Sequence, residues 1–379
     1  MESLADVPTI DVRVFLDPTS DPEAVQEQCR LVAKSLHEFG ILIWRDPRIQ
    51  EKDNEDYLDM MEQYFEQESR KLYSGEKLQD CKPEHNFQAG VTPERQERAR
   101  NHQHILDSLT PENMPLSKFP PDLDAKWRFF WAIGERPAEV ADNIPKVIPA
   151  SFPEWEKRMN AWGNLMISAC MTAGQMAAIG MGLPADTFSS RMTGGPHLLA
   201  PTGSDLQKYD VGTTFAGFHY DLNFLTIHGK SRWAGLFLWL RNMKKVAVKV
   251  PPGCLLLQAG SMFEHITGGY VLAGYHEVIY TEALKAQLEK VKEENLNGGD
   301  RILWRVSSTL FSHIRYNVDL SPLPEMRHLY DDEALVKYRK MTAHEKLMEE
   351  LKAINLAPSS PKSQSQVPAS AQQAVVSLM

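Results

Sequence analysis

Residues 217–229 read GFHYDLNFLTIHG, a stretch that carries a fold signal and a chemical one together. His219 and Asp221 are one residue apart. In a strand alternate side chains share a face, so the pair is expected to point the same way. Around this stretch lie other short β-rich runs separated by glycines: WAGLFLWL (233–240), VAVKV (246–250), GCLLLQAG (253–260), GGYVLAGYHEVIY (268–280) and ILWRVSSTLF (302–311). Such runs predict an antiparallel sandwich or barrel beginning near Gly194.

Upstream the texture is helical. VPTIDV (7–12) alternates like a short strand, and residues 21–39 repeat apolar side chains at helical spacing through Val25, Leu31, Val32, Leu36 and Phe39. Gly40 ends that helix, ILIW (41–44) reads as a buried strand, and a polar helix is expected over 53–73. Residues 74–125 read as loops with short helices, and a long helix is expected from Glu154 to Met181, closed by Gly182 and Pro184. A charged amphipathic helix is expected over 331–355, packed against the β core. The Ser-, Pro- and Gln-rich residues 356–379 read as disordered. The expected layout is a mixed α/β (α+β) chain. It has an N-terminal helix and strand region (1–125), a helical support (126–193), a β core (194–330), a C-terminal helix (331–355) and a tail (356–379).

Bulk properties narrow the function classes. The 379 residues carry a net charge of −9 with both signs interspersed, and no basic block favours nucleic acid or an anionic membrane. No stretch approaches 18 uninterrupted apolar residues, and MESLADVPTIDV lacks the basic start and apolar block of a signal peptide. A cytoplasmic monomer acting on a small molecule is the expectation; Ser377-Leu378-Met379 only faintly resembles a peroxisomal address. Cys29, Cys81, Cys170 and Cys254 lie far apart with no CxxC pair, which reads as four buried or half-buried thiols in a reducing compartment.

A third metal ligand beside His219 and Asp221 must come from elsewhere in the sheet. His276 lies 55 residues on, inside another alternating run. Two neutral imidazoles and one carboxylate on one face of a metal leave positions open for a chelating co-substrate and O₂, which suits Fe(II). His228, His265 and His313 read instead as surface or hydrogen-bonded histidines, His228 lying past the expected strand end. In RVSSTLF (305–311), Arg305, Ser307, Thr309 and Phe311 share one strand face. A buried Arg followed by a hydroxyl makes a carboxylate receptor, and either a bound carboxylate or a protein acid must pair with it. The charged, helix-like stretch 282–300 lies between His276 and Arg305; with their strands joined as an antiparallel hairpin, its length would leave the pairing unchanged. It reads either as a cover for the barrel mouth or as a solvated ornament.

These residues resemble the isopenicillin-N-synthase-like branch of the Fe(II)/2-oxoglutarate-dependent dioxygenases over about residues 7–326. The resemblance rests on VPTIDV and EFGILIW, on the looser HNFQAGVTPE (85–94), and on the order FHYDLNFLTI, VPPGCLLLQAGSMFEHITGGYVLAGYHEVIY, RVSSTLFSHIRYNVDLSPLPE. It implies a double-stranded β-helix (jelly-roll) with helical flanks. It also implies His219, Asp221 and His276 as iron ligands, and Arg305 and Ser307 gripping the distal carboxylate of 2-oxoglutarate. The family's chemistry consumes O₂ and 2-oxoglutarate and yields succinate, CO₂ and an oxidised substrate. One departure is Ala200, in HLLAP (197–201), where relatives carry a tyrosine that helps bind 2-oxoglutarate; Tyr209 is a candidate substitute. That departure keeps open an oxidase that uses no 2-oxo acid and binds its substrate's carboxylate at Arg305 and Ser307. A non-catalytic binding protein on the same scaffold is the third reading. Candidate substrate-pocket residues are Phe218, Trp239, Phe311, Phe87 and Tyr209.

Overall fold

A computed structural model describes residues 7–85, 87–135 and 144–353. Fourteen strands are present among them: β1 (Thr9–Asp11), β2 (Ile41–Arg45), β3 (Gly90–Thr92), β4 (Trp127–Ala132), β5 (Leu198–Leu199), β6 (Thr202–Asp205), β7 (Thr214–His219), β8 (Leu225–His228), β9 (Leu236–Trp239), β10 (Lys245–Ala247), β11 (Leu255–Ala259), β12 (Tyr275–Ile279), β13 (Trp304–Ser307) and β14 (Thr309–Ser312). They form a larger sheet in the order β1-β2-β11-β8-β14-β5-β4-β6-β13, with β3 on β4, and a smaller sheet β10-β9-β12-β7. This is the expected two-sheet jelly-roll, and residues of both sheets enclose one cavity. The N-terminal third does more than flank it: β1 to β4 are members of the larger sheet.

The helices follow their sequence signals closely. Pro22–Phe39 starts where the Asp21 carboxylate accepts from the Ala24 N–H and stops at Gly40, whose φ of 72° permits the left-handed cap. It buries Cys29, Val32, Ala33 and Leu36 against the long helix Trp155–Gly180. At their crossing a Cβ on Gly180 would run into the Cys29 carbonyl oxygen, so glycine is what allows the two backbones to approach. The polar helix spans Glu51–Tyr73 and places Phe65 and Glu66 beneath β6 and β13, with Phe65 stacked on Trp304. All four cysteines are free thiols, three buried and Cys81 half-buried. Among the described residues no helix is long and apolar enough to cross a membrane.

Three expectations are corrected. His276 on β12 and Arg305 on β13 do not form a hairpin, because β12 belongs to the smaller sheet and β13 pairs with β6 in the larger one. The helix Glu282–Leu296 makes that crossing, and it is more than a solvated ornament. It buries Leu284 and Leu288 with Leu206, Phe215, Trp233 and Tyr280. The single C-terminal helix is two, Asp332–Lys337 and Ala343–Ala353, because the chain leaves helical geometry at Tyr338 and then bonds back to Val318 and Leu320. The tail read as disordered lies outside the described residues, as does the C-terminal tripeptide.

Candidate metal centre

β7 and β12 are antiparallel neighbours, and their register sets His219 directly opposite His276. The pairing is irregular: β12 advances two residues from His276 to Val278 while β7 covers three, from His219 to Ala216. The extra residue is a β-bulge, which flips side-chain parity. Ala216 and His219 therefore both face the cavity, while Phe218, next to His219, faces the other way by ordinary alternation. Gly217 sits in the bulge. Its N–H donates to Asp124 Oδ1 at 3.0 Å, and an added Cβ would stand 2.7 Å from Ala99 Cβ.

Asp221 is not on the strand, as expected from alternation, but two residues beyond its end. There its carbonyl oxygen accepts from the Ser261 N–H at 2.8 Å. Its Oδ2 accepts from the Thr226 hydroxyl at 2.6 Å, and Oδ1 lies 3.8 Å from His219 Nε2 and 4.0 Å from His276 Nε2. One donor atom from each of the three residues lies within 4.8 Å of the others. His219 Nδ1 is 2.6 Å from the Gly217 carbonyl oxygen, and His276 Nδ1 is 3.4 Å from that of Gly274. A hydrogen on each Nδ1 leaves the Nε2 lone pairs turned toward Asp221. Burial, with His276 beside it, pushes the His219 imidazolium well below its ordinary range. Burial opposes the charge of Asp221, but the two imidazoles and Thr226 outweigh it and hold the carboxyl low. Two neutral imidazoles and an oriented carboxylate fit a divalent iron with an open face.

The same cavity, about 80 Å³, is lined by Arg305, Ser307, Thr309 and Phe311. The strand breaks at Ser308, β13 continuing with β6 and β14 with β5 and β8, yet the expected parity survives across the break. Arg305 is 6% exposed and donates from Nε to the Ala234 carbonyl oxygen at 2.8 Å. Among the described residues no carboxylate lies within ion-pairing distance of it, and burial alone pushes its pKa down to about 10. Ser307 Oγ and Thr309 Oγ1 are 3.1 Å apart.

Other wall residues give no sign in the sequence. Glu97 reaches the cavity from the stretch read as loops, and Lys126 and Arg128 from just before and within β4, a strand where a helical support was expected from residue 126. Lys126 lies 3.2 Å from Glu97 and 2.9 Å from Asp124, while Arg128 pairs with Glu97 and lies over the Phe130 ring at 3.5 Å. Burial opposes the charge on Lys126, but the two acids raise its pKa on balance. His228 is also part of the wall, contrary to expectation. It ends β8 rather than following it, is buried, and bonds Thr309 Oγ1 and Gln258 Oε1. Burial lowers its pKa to about 4. His265 and His313 are hydrogen-bonded away from the cavity, His265 to the Arg339 carbonyl oxygen and His313 through its N–H to His197.

The candidate pocket aromatics separate. Phe311 lines the cavity, and Phe87 packs behind it with Phe130 and Ala200. Phe218 and Trp239 face the outer side of the smaller sheet, where Phe218 stacks on Tyr275 and the Trp239 indole donates to the Asn113 carbonyl oxygen at 2.7 Å. Tyr209 does not replace the missing tyrosine. Its hydroxyl donates to Glu94, and its ring packs with Phe215. Ala200 itself is buried and lines the cavity.

No family model matches the chain, and no curated protein matches it in sequence. Solved structures do. A 2OG-Fe(II) oxygenase family protein from Caulobacter crescentus is 18% identical over 92% of this chain and 99% of its own, with a TM-score of 0.68. A full-length Neurospora crassa protein, solved in complex with alpha-KG, is 17% identical over 92% of this chain and 96% of its own, with a TM-score of 0.66. JOX2, solved with 2OG, Fe and JA, is 14% identical over 89% of this chain and 83% of its own, with a TM-score of 0.60. At such identities the likeness is one of architecture: this chain has the fold of the 2OG-Fe(II) oxygenases.

Proposed function

We propose that the chain is a non-haem Fe(II)- and 2-oxoglutarate-dependent oxygenase that oxidises a small organic molecule with O₂, releasing succinate and CO₂. The observation that carries this reading is the pairing, in one cavity, of the His219, Asp221 and His276 cluster with a buried Arg305 that has no acid beside it among the described residues. A buried guanidinium without an anion is costly, and a carboxylate ligand supplies one. His219, Asp221 and His276 would hold the iron, which when bound activates O₂ toward a substrate C–H bond. Arg305 offers its terminal nitrogens and Ser307 its hydroxyl to the distal carboxylate of 2-oxoglutarate, directing the oxo-acid end toward the metal. Ala216, Leu236, Val278 and Phe311 keep the space between dry, which favours both the charge pairing and control of the oxidant.

The wall residues Glu97, Lys126 and Arg128, with Asp124 paired to Lys126 behind them, balance in charge, two acids against two bases, and so suit a polar substrate without net charge. The Neurospora crassa protein has been solved with thymine and with 5-formyluracil, in keeping with a small substrate here. Anaerobic titration with Fe(II) and 2-oxoglutarate tests the assignment and should raise the weak visible charge-transfer band of the chelate. O₂ uptake should then require 2-oxoglutarate and yield succinate. A second reading, an oxidase that binds its substrate's carboxylate at Arg305, is favoured by Ala200, which leaves the wall without a phenol among the described residues. O₂ uptake driven by an organic substrate without 2-oxoglutarate would select it.

A further inference from the structure

From Ser307 the Arg305 end of the cavity runs on into buried polar side chains, Thr309, His228 and Gln258, to which the proposed function assigns no task. Ser307 Oγ lies 3.1 Å from Thr309 Oγ1, which lies 3.0 Å from His228 Nδ1. His228 Nε2 is in turn 3.1 Å from the Gln258 side-chain oxygen. The four residues sit on β13, β14, β8 and β11, and Thr309 and His228 are register partners, so backbone pairing fixes the spacing. Gln258 is 1% exposed, Thr309 5% and His228 8%.

A line of hydroxyls ending in a neutral imidazole has one hydrogen per link, so its direction is set at its ends. With the hydrogen on Nε2, His228 donates to the Gln258 oxygen and must accept from Thr309 at Nδ1. Thr309 then accepts from Ser307, and Ser307 shows the cavity lone pairs only. A carboxylate on Arg305 would meet those lone pairs unfavourably. With the hydrogen on Nδ1 every link reverses: His228 donates to Thr309, Thr309 to Ser307, and Ser307 into the cavity. Gln258, its amide turned by half a rotation, then donates to Nε2. Heavy-atom positions are the same in both arrangements. In the first, the Gln258 amide nitrogen is buried without a partner; in the second it has one, and the amide oxygen gives up its own. Unsatisfied buried donors are the rarer of the two.

Resting on the reading that Arg305 receives the carboxylate of 2-oxoglutarate, we propose that His228 is a positioning residue for that co-substrate. As the Nδ1–H tautomer, supported by Gln258, it turns the Thr309 and Ser307 hydroxyls so that Ser307 donates to the bound carboxylate.

The test is ¹⁵N imidazole NMR of the full chain loaded with diamagnetic Zn(II), with and without 2-oxoglutarate, the His228 signals being assigned by their loss in H228N. The expected result is an Nδ1–H ring in the 2-oxoglutarate complex. An Nε2–H ring or a doubly protonated ring in that complex overturns the proposal. Calorimetry supplies the second readout. H228L, which has no donor for Thr309, should bind 2-oxoglutarate about tenfold more weakly. H228N, which keeps a donor near the Nδ1 position, should stay within about threefold of the native protein. Both should bind Zn(II) as the native protein does. Native-like 2-oxoglutarate binding by H228L overturns the role of His228 alone. Absence of 2-oxoglutarate binding by the native protein overturns the carboxylate reading and this inference with it.

Discussion

The two ends of the cavity hold the same kind of side chain in opposite states. At one end the buried Arg128 and the half-buried Lys126 are matched by Glu97 and Asp124, so the wall is neutral and complete by itself. At the other Arg305 is equally buried, bonds only a backbone carbonyl oxygen among the described residues, and is destabilised as a cation by burial. The first end is structural electrostatics and the second an unfilled requirement. A buried charge left without its opposite is better evidence of a ligand than a buried ion pair, because the pair already accounts for its own desolvation. The proposed metal ligands line the same cavity, His219 and His276 from the facing smaller sheet.

Mutations that separate the two ends break or sharpen this contrast. The largest effect is expected between them: D221A should abolish Fe(II) binding and turnover, and retained stoichiometric Fe(II) binding would refute the ligand assignment. At the balanced end, E97Q leaves Arg128 and Lys126 under-compensated. It should cost about 3 kcal/mol of stability in denaturant unfolding, with 2-oxoglutarate affinity changed much less. At the unbalanced end, R305A should weaken 2-oxoglutarate about a hundredfold by calorimetry, as expected when one partner of a charge-assisted contact is lost. It should leave stability unchanged or raised, since it removes an uncompensated buried cation. Equal destabilisation by E97Q and R305A would erase the distinction between the ends. The smallest effect is expected from T226V, which removes the hydroxyl that orients Asp221. It should lower Fe(II) affinity about tenfold in competition with a chelator while leaving unfolding nearly native.

How far the site is legible varies along the chain for physical reasons. Arg305, Ser307, Thr309 and Phe311 group correctly on one face because strand alternation is local and survives the break at Ser308. At β7 the same rule puts Phe218 opposite His219, on the outer face with Trp239 and Tyr275, although nearness to the metal ligand suggests a pocket position; it misleads for Ala216, which the bulge turns into the cavity. Alternation also places Asp221 on a strand that ends two residues before it. His228 reads as a residue beyond a strand end, since nothing in LTIHG marks the last ladder bond, and its buried partners Thr309 and Gln258 lie 81 and 30 residues away. Glu97, Lys126 and Arg128 leave no trace because charged residues, in the loop-like stretch or in the segment read as helical support, look solvated until tertiary contacts bury them.

The sequence by itself determined the alternation of glycines and β-rich runs, the helix limits set by Asp21, Gly40 and Gly182, and the residue types able to hold a metal and an anion. These depend on backbone preferences and side-chain chemistry over a few neighbours. Only the tertiary structure decided that His219 faces His276, that Arg305 has no acid near it among the described residues while Arg128 does, and that Ala216 turns into the cavity beside His219. Each of those depends on register between strands far apart in the chain, where one extra residue in a ladder exchanges the inside for the outside.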